Sequence, residues 1–206
     1  MKTITSIEGN KRKGERASIF LDGLFAFSLG RNVVEEHGLH PGQVLSDSQV
    51  EELASTDTYV KCLDAALRLL RYRPRSEAEI RTRLSRKFTT EAIEGVIFQL
   101  RARQLIDDVT FATFWREQRD SFSPRSRQLL KVELRHKGVD PDIIDDVLDG
   151  INDDENAYRA AQRRIPTLGK EDYETFRQKM GAFLRRRGFS YDVVKRTTER
   201  LWKERE

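Results

Sequence analysis

The sequence predicts a mainly α-helical protein in which three tandem three-helix repeats form an elongated, curved stack behind a small antiparallel β-hairpin region. Three observations support this fold class. Glycine and proline are scarce, at 12 and 5 of 206 residues, which favours helix. An apolar fraction of 37% beside 35% charged residues suits several thin helical units better than one thick core. Finally, apolar residues recur at a spacing of 50, and a fixed period indicates a repeated supersecondary unit.

The first 30 residues predict β-strands. Two apolar runs, 17–21 and 24–29, are joined by Asp22-Gly23. A type I′ turn at such a pair requires positive φ at both residues, which Asp and Gly tolerate. With the β-prone segment 3–7, these runs predict a small antiparallel sheet. The polar residues 10–16 between them predict an exposed basic loop or the rim of a strand.

The repeats are visible as one helical face that occurs three times. The aligned apolar positions are Ile80, Leu130 and Met180, then Leu84, Leu134 and Leu184, then quartets beginning at Ile93, Ile144 and Val194. The third quartet contains Thr197 and Thr198 where the others have aliphatic residues. We expect such a departure in a terminal repeat that faces solvent.

The period divides the chain into four parts. A β-hairpin region with a short helix covers 1–57, and three-helix repeats cover 58–107, 108–153 and 154–206. Units of this size are near the lower limit of independent stability, so neighbouring repeats are expected to pack on one another.

Start and stop signals bracket the predicted second helices. Ser76 followed by Glu79 forms a capping box, and Pro124 after a serine is predicted at the first helical position of repeat two. Gly138 and Gly188 follow basic helix ends and supply the left-handed residue that terminates a helix. Repeat one lacks this glycine, so its turn must close differently.

No catalytic or cofactor constellation is visible. His37, His40 and His136 lie in a loop or at a basic helix end without a nucleophile at a meaningful spacing, and Cys62 is the only cysteine. No glycine-rich phosphate loop is present. We therefore expect a protein that is not an enzyme and that needs no metal or cofactor.

Three aspartate pairs offer a weaker alternative, a metal site. They are Asp107-Asp108, Asp145-Asp146 and Asp153-Asp154. The first and third stand where helices begin, where carboxylates cap free N–H groups, and the second lies on an outer helix face. Capping and solvation therefore account for them better than metal binding.

Charge is distributed in blocks along the chain. The net charges of four successive segments are −3 for 1–57, +5 for 58–107, −4 for 108–154 and +6 for 155–206. Arginine outnumbers lysine 27 to 11, and its forked group suits carboxylates or phosphates.

A set of basic residues lies on corresponding helices of successive repeats, and we select it as the candidate binding residues for a polyanionic partner. Taken one at a time, each is better explained by a solvated helix face with i,i+4 partners. Taken as a set, they are explained equally well by a shared anionic partner. The set comprises Arg73, Arg75, Arg81, Arg86, Lys87, Arg125, Arg127, Lys131, Arg135, Lys137, Arg185, Arg186 and Arg187.

Several segments together resemble the RecX regulatory family. They are Arg73-Pro74-Arg75-Ser76-Glu77-Ala78-Glu79-Ile80, Leu105-Ile106-Asp107-Asp108 with Phe111-Ala112, and Leu134-Arg135-His136-Lys137-Gly138-Val139. The resemblance covers about 58–206 well and 1–57 more loosely. It implies a modulator, usually an inhibitor, of the RecA recombinase that lies along the RecA filament on single-stranded DNA. It supplies no catalytic residues.

Three functions remain open from the sequence. The leading hypothesis is a regulator of the RecA nucleoprotein filament, and the second is a direct DNA-binding protein whose units resemble helix-turn-helix domains. A third is a helical adaptor for an unrelated protein. Since the chain has no apolar run of about 18 residues and no signal peptide, we expect it in the cytoplasm and not in a membrane. We also expect a monomer.

Overall fold

The computed structural model describes residues 1–9, 16–169 and 172–205. It is mainly helical, with three-helix repeats behind a four-stranded antiparallel sheet, as predicted. The chain divides into two compact units. The first comprises Met1–Tyr72 with Arg81–Ala102, and the second Arg73–Ile80 with Arg103–Glu206. Most of the basic segment 10–16 lies outside the described residues.

The secondary-structure elements follow in chain order. The strands are β1 (Lys2–Gly9), β2 (Arg16–Leu21), β3 (Leu24–Gly30) and β4 (Val44–Leu45). The helices are α1 (Arg31–Glu36), α2 (Asp47–Tyr72), α3 (Glu77–Leu84), α4 (Thr90–Ala102), α5 (Asp108–Phe122), α6 (Arg127–His136), α7 (Pro141–Val147), α8 (Asp153–Arg164), α9 (Tyr173–Arg185) and α10 (Tyr191–Lys203). A short 3-10 helix, Ile165–Thr167, extends α8.

The N-terminal sheet has the strand order β3-β2-β1-β4, with antiparallel pairing throughout. Asp22 and Gly23 have φ values of 51° and 85°, which confirms the predicted type I′ turn. The inner face of the sheet carries buried residues such as Ile4 and Ile19, which pack with Leu53 of α2. Helix α2 therefore covers the sheet.

Helix α2 is longer than the first helix predicted for repeat one. It runs without interruption through 26 residues, because no glycine or proline stands between its ends, and the predicted boundary between 57 and 58 falls inside it. Asp57, which is buried, pairs with Arg16 of β2 and with Lys61 one turn later, at 2.5 Å from Nζ to Oδ2. This buried carboxylate attaches the helix to the sheet.

The helix boundaries of the second unit mostly agree with the sequence. Gly138 and Gly188 adopt φ values of 73° and 85° at the ends of α6 and α9, as predicted. The prediction for Pro124 was wrong. Ser126 is the N-cap of α6, and its Oγ accepts a hydrogen bond from Leu129 N at 3.1 Å. Pro124 lies in the connection instead, because Ser126 is the residue placed to satisfy the first free N–H groups.

The third quartet also departs from expectation. Thr197 and Thr198 are buried in the last helix rather than exposed to solvent. Thr198 Oγ1 donates to the Val194 carbonyl at 2.7 Å, which satisfies the hydroxyl without an external partner. The terminal repeat is therefore packed on this face as fully as the first two.

Candidate interaction surface

The second unit contains two junctions of the same design, offset by 50 residues. At the first, Ser76 Oγ accepts from Glu79 N at 3.2 Å and donates to the Lys137 carbonyl at 2.5 Å. At the second, Ser126 N donates to the Arg187 carbonyl at 3.0 Å. In each case the start of a second helix contacts the turn that ends the second helix of the following repeat. The junctions fix the positions of Lys137 and Arg187.

Aspartates complete both junctions. Asp108 Oδ1 accepts from Glu77 N at 2.9 Å, and Asp153 Oδ1 accepts from Arg127 N at 2.7 Å. The sequence predicted that these pairs cap the helices they begin, which is confirmed for Asp107, whose Oδ2 accepts from Thr110 N at 2.7 Å. Asp108 and Asp153, at the starts of α5 and α8, instead cap α3 and α6, because the starts of those two helices lie against them in the folded unit.

Glu79 is held by two cations rather than turned back to complete the predicted capping box. Arg73 Nη1 and Nη2 donate to its two carboxylate oxygens at 2.9 and 3.0 Å, and Lys137 Nζ donates to Oε1 at 2.6 Å. Burial raises the pKa of Glu79, but the hydrogen bonds and charges of Arg73 and Lys137 outweigh it and lower the pKa to about 2. The carboxylate thus stays ionised and holds both cations in place.

Glu133 on α6 likewise holds two cations in place. Its Oε2 accepts from Trp115 Nε1 at 2.7 Å and from Arg119 Nε at 2.9 Å, and its Oε1 pairs with Arg125. The Trp115 ring lies 4.7 Å from the Arg119 guanidinium and 5.0 Å from Lys137 Nζ. One carboxylate thereby orders an indole and two arginines, and the indole face is lined by cations.

Cations continue from this group to Phe183 on α9. The Arg187 guanidinium lies 4.2 Å from the centre of the Phe183 ring, and that of Arg164 lies 5.8 Å from it. The pKa of Arg125 is lowered by burial and then by the charges of Arg119 and Arg187. Arg119 and Arg125 share Glu133, and the hydrogen bond from Ser126 N to the Arg187 carbonyl brings Arg187 to the same junction.

These residues form one surface of the second unit, which we term the cationic face. It consists of Arg73, Arg119, Arg125, Lys137, Arg164, Arg186 and Arg187, the rings of Trp115 and Phe183, and the carboxylates Glu79 and Glu133. Seven cations thus stand against two acids. Among the described residues, no carboxylate lies within ion-pair distance of Arg164, Arg186 or Arg187.

The structure sorts the predicted binding residues into groups. Arg73, Arg125, Lys137, Arg186 and Arg187 belong to the cationic face. Lys131 is paired with Asp145, Arg135 and Arg185 are exposed, and Arg75 and Arg127 are half-buried. In the first unit, Arg81 pairs with Glu94, whereas Arg86 and Lys87 are exposed.

Sequence reasoning missed part of the cationic face. Trp115 and Arg119 are separated by one helical turn on α5, so their contact could have been anticipated from the i,i+4 spacing. The contact of Arg164 with Phe183 joins α8 to α9 across a connection and left no sequence pattern. The arrangement offers ordered guanidinium groups and aromatic faces, which suit binding of an anionic surface.

Two further findings bear on chemistry and location. In residues 1–9, 16–169 and 172–205, no three His, Cys, Asp or Glu side chains come together as a metal site would require. Cys62 is buried, and burial raises the pKa of its thiol to about 11. None of the described helices is both long and apolar enough to cross a bilayer.

Comparisons with known proteins place the chain in a family. The profile of the regulatory protein RecX N-terminal domain matches residues 2–46. Profiles of the first, second and third RecX three-helix domains match 62–100, 107–148 and 152–197.

Curated relatives and solved structures support the same family assignment as the profiles. A protein named regulatory protein RecX from Clostridium botulinum (strain Alaska E43) is 30% identical over 95% of this chain and 94% of its own length. One from Bacillus velezensis is 31% identical over 97% of this chain and 77% of its own length. A crystal structure of regulatory protein RecX matches with a TM-score of 0.66 and 28% identity, covering 97% of this chain and all of that one. The crystal structure of RecX from Lactobacillus salivarius matches with a TM-score of 0.58 and 26% identity, over 70% of this chain and 97% of that one. The chain belongs to the RecX family of regulatory proteins.

Proposed function

We propose that this chain is a regulator without catalytic activity of its own that binds the RecA filament on single-stranded DNA and inhibits its ATP hydrolysis and strand exchange. Family membership supports a regulatory role, since the relatives carry the name regulatory protein RecX. RecA as the partner follows from the resemblance to that family. The proposal includes a monomer that acts in the cytoplasm, where the filament forms.

The observation that carries the proposal is the excess of ordered cations on the cationic face. Four of its seven cations are paired with two carboxylates, and the other three have no carboxylate within ion-pair distance among the described residues, so the surface retains a net positive charge after its internal pairs are made. A nucleoprotein filament presents DNA phosphates and protein carboxylates in a regular array. Arginine binds both through paired N–H donors, and charge complementarity raises the association rate.

The experiment is a titration of the purified chain into RecA assembled on single-stranded DNA, with the rate of ATP hydrolysis as the readout. We expect the rate to fall at substoichiometric to stoichiometric amounts. An unchanged rate over that range would overturn the proposal.

A matched pair of variants tests the surface. Arg164→Glu with Arg186→Glu reverses two exposed charges of the cationic face, and about ten times more protein is then expected for half-inhibition. The control, Arg103→Glu with Lys203→Glu, makes the same charge change at exposed positions outside the face. If both pairs of substitutions weakened inhibition equally, the effect would come from the net charge of the protein and not from the cationic face.

Direct DNA binding is the second candidate function. It is favoured by the aromatic rings among the cations of the face, since such rings and charges together are typical of nucleic-acid-binding surfaces. If direct DNA binding is the main activity, affinity for DNA without RecA should be strong and should fall steeply with salt.

A further inference from the structure

The third repeat lacks an ion pair that the first two repeats have in the same place. In the first unit, Arg81 of α3 pairs with Glu94 of α4. In the second unit, Lys131 of α6 pairs with Asp145 of α7. Each cation directly follows an aligned apolar residue of the second helix, and each acid directly follows the first residue of a quartet.

The corresponding positions of the third repeat are Gly181 and Lys195. The cationic side chain is therefore absent from α9, and the acid on α10 is replaced by a cation. A pair that links the second and third helices in the earlier repeats cannot form here. Glycine inside a helix lowers helix stability by about 1 kcal/mol relative to alanine. We therefore expect the surroundings of Gly181 in α9 to offer a reason for its presence.

A cleft of about 420 Å³ lies at this position between α9 and α10. Its volume is within the ~300–1,000 Å³ range of small-ligand sites. A side chain at Gly181 would enter it, since a Cβ there would lie 3.3 Å from Arg185 Nη1 and 3.7 Å from Val194 Cγ1. Because Gly181 has no side chain, the Arg185 guanidinium lies against the helix at the floor of the cleft.

The walls combine two tyrosine rings with cations. They include Tyr173, Arg177, Arg185, Tyr191, Lys195 and Glu199. Tyr173 packs edge-on against Trp202 with ring centres 5.3 Å apart, which fixes its ring, while Tyr191 is 70% exposed. Arg177 lines the cleft together with both rings, and its hydrogen bond to Glu174 and the charge of that acid raise its pKa.

The charges of the cleft are not balanced internally. Arg177 is paired with Glu174 at 2.6 Å. In the described part of the chain, Arg185 and Lys195 have no carboxylate within ion-pair distance, and Glu199 is the one acid of the lining. The site therefore attracts an anion.

We propose that this cleft binds one nucleotide of single-stranded DNA, with the base against the tyrosine rings and the adjoining phosphates beside Arg185 and Lys195. Aromatic side chains stack on unpaired bases of any sequence, whereas an acidic peptide makes no use of them. Bases inside a duplex are stacked on one another and do not reach such a cleft. The inference goes beyond the regulation of RecA, because this contact requires no RecA, and it gives the second candidate function, direct DNA binding, a specific site.

The test is the binding of fluorescein-labelled oligo(dT) to the full chain without RecA, measured by fluorescence anisotropy. Tyr191→Ala should weaken binding roughly five- to hundred-fold, as expected for the loss of one stacked base, and Tyr191→Phe should restore it. Lys195→Asp should weaken binding about ten-fold and reduce the salt slope by about one. Lys203→Asp, an equal change at an exposed position of α10 outside the cleft, should change affinity less than about two-fold.

A double variant closes the cleft. Gly181→Lys with Lys195→Asp rebuilds the pair of the second repeat, and loss of oligo(dT) binding with an unchanged circular dichroism spectrum supports the proposal. Wild-type affinity in Tyr191→Ala and Lys195→Asp overturns it. So does displacement of the oligonucleotide by polyglutamate at lower concentration than by unlabelled oligo(dT), which would identify an acidic peptide as the occupant. RecA inhibition is measured separately, so either proposal can fail alone.

Discussion

At the scale of single residues, two carboxylates organise most of the cationic face. Glu79 fixes Arg73 and Lys137, and Glu133 fixes Arg119 and Arg125. Both acids are mostly buried, so their ion pairs are less screened than surface pairs. Cations ordered in this way lose less side-chain entropy when a partner binds.

Glu79→Gln should lower the free energy of unfolding at pH 7 by about 1–3 kcal/mol, because it leaves two partly buried cations without their acid. The folded-state pKa of about 2 lies below the usual 4.5. The contribution is therefore present above pH 4.5 and lost as the pH falls toward 2. Urea unfolding at pH 7 and near pH 2 measures it.

The difference in the free energy of unfolding between Glu79→Gln and the wild type should thus be smaller near pH 2 than at pH 7. Glu117→Gln, an exposed position on α5, is the matched control and should show little effect at either pH. An equal loss from Glu79→Gln at both pH values would contradict the assigned role of its charge.

At the scale of elements, the junctions depend on glycine for two separate reasons. Gly138 and Gly188 have positive φ, and both also lie against a neighbouring helix start. A Cβ at Gly138 would lie 2.3 Å from Ala78 Cβ, and one at Gly188 would lie 2.5 Å from Ser126 Oγ. The turn must therefore lack a side chain for the junction to close.

Gly138→Ala and Gly188→Ala should each destabilise the protein by about 2–4 kcal/mol, since backbone strain and steric overlap add. Gly150→Ala separates the two effects, because Gly150 has a φ of 71° but nothing within 4 Å of its Cβ position. That variant should cost only about 1 kcal/mol. Thermal unfolding of the three variants measures their loss of stability. Equal losses in all three would show that backbone strain, and not steric overlap, accounts for the effect.

Asp57 makes the corresponding connection in the first unit, between α2 and the sheet. Asp57→Asn should cost about 2–4 kcal/mol, because Arg16 is then left buried with a neutral partner. Asp64→Asn, on the exposed side of the same helix, should stay within about 0.5 kcal/mol of the wild type. Chemical denaturation of both variants decides whether this pair attaches the helix.

At the scale of the whole molecule, a net charge of +4 conceals blocks of opposite sign. Folding makes the distribution of charge still less even, because many of the acids form internal ion pairs or cap helices. Asp108 and Asp153 cap helices, Glu79 and Glu133 hold cations, and Asp145 is paired with Lys131. The charge available to a partner is therefore more positive locally than the total indicates.

Inhibition of RecA should consequently depend on salt. Raising the salt concentration from about 50 to 200 mM should increase the amount of protein required for half-inhibition by at least about ten-fold, since counterions compete for the cationic face. The RecA ATPase titration repeated at several salt concentrations measures this. A flat response would indicate an interface dominated by apolar contact.

Much of the fold could be predicted from the sequence because its determinants are local. The hairpin turn, the glycine helix ends and the apolar faces of the three-helix repeats depend on residues a few positions apart, and all three are found. The family resemblance is confirmed as well. The error at Pro124 arose because two serines three residues apart, Ser123 and Ser126, offered alternative caps.

The candidate site could be predicted only in part. Basic residues on corresponding helices were identified, but which of them are paired internally depends on acids that are distant in the sequence, such as Glu79 with Lys137, 58 positions apart. For the same reason, the sequence predicted the capping role of the aspartate pairs but missed that Asp108 and Asp153 cap helices other than those they begin. A cap supplied by a distant helix leaves no local pattern.

By itself, the sequence determined the repeat period, the helical class, the N-terminal sheet and the family, because periodic burial and turn chemistry are short-range properties. The tertiary structure alone decided that Thr197 and Thr198 are buried, that Asp108 and Asp153 cap helices other than those they begin, and that arginines gather around Trp115 and Phe183. These features depend on which surfaces come into contact when helices pack. Packing brings together residues that are far apart in the sequence, and their spacing along the chain does not predict that they touch.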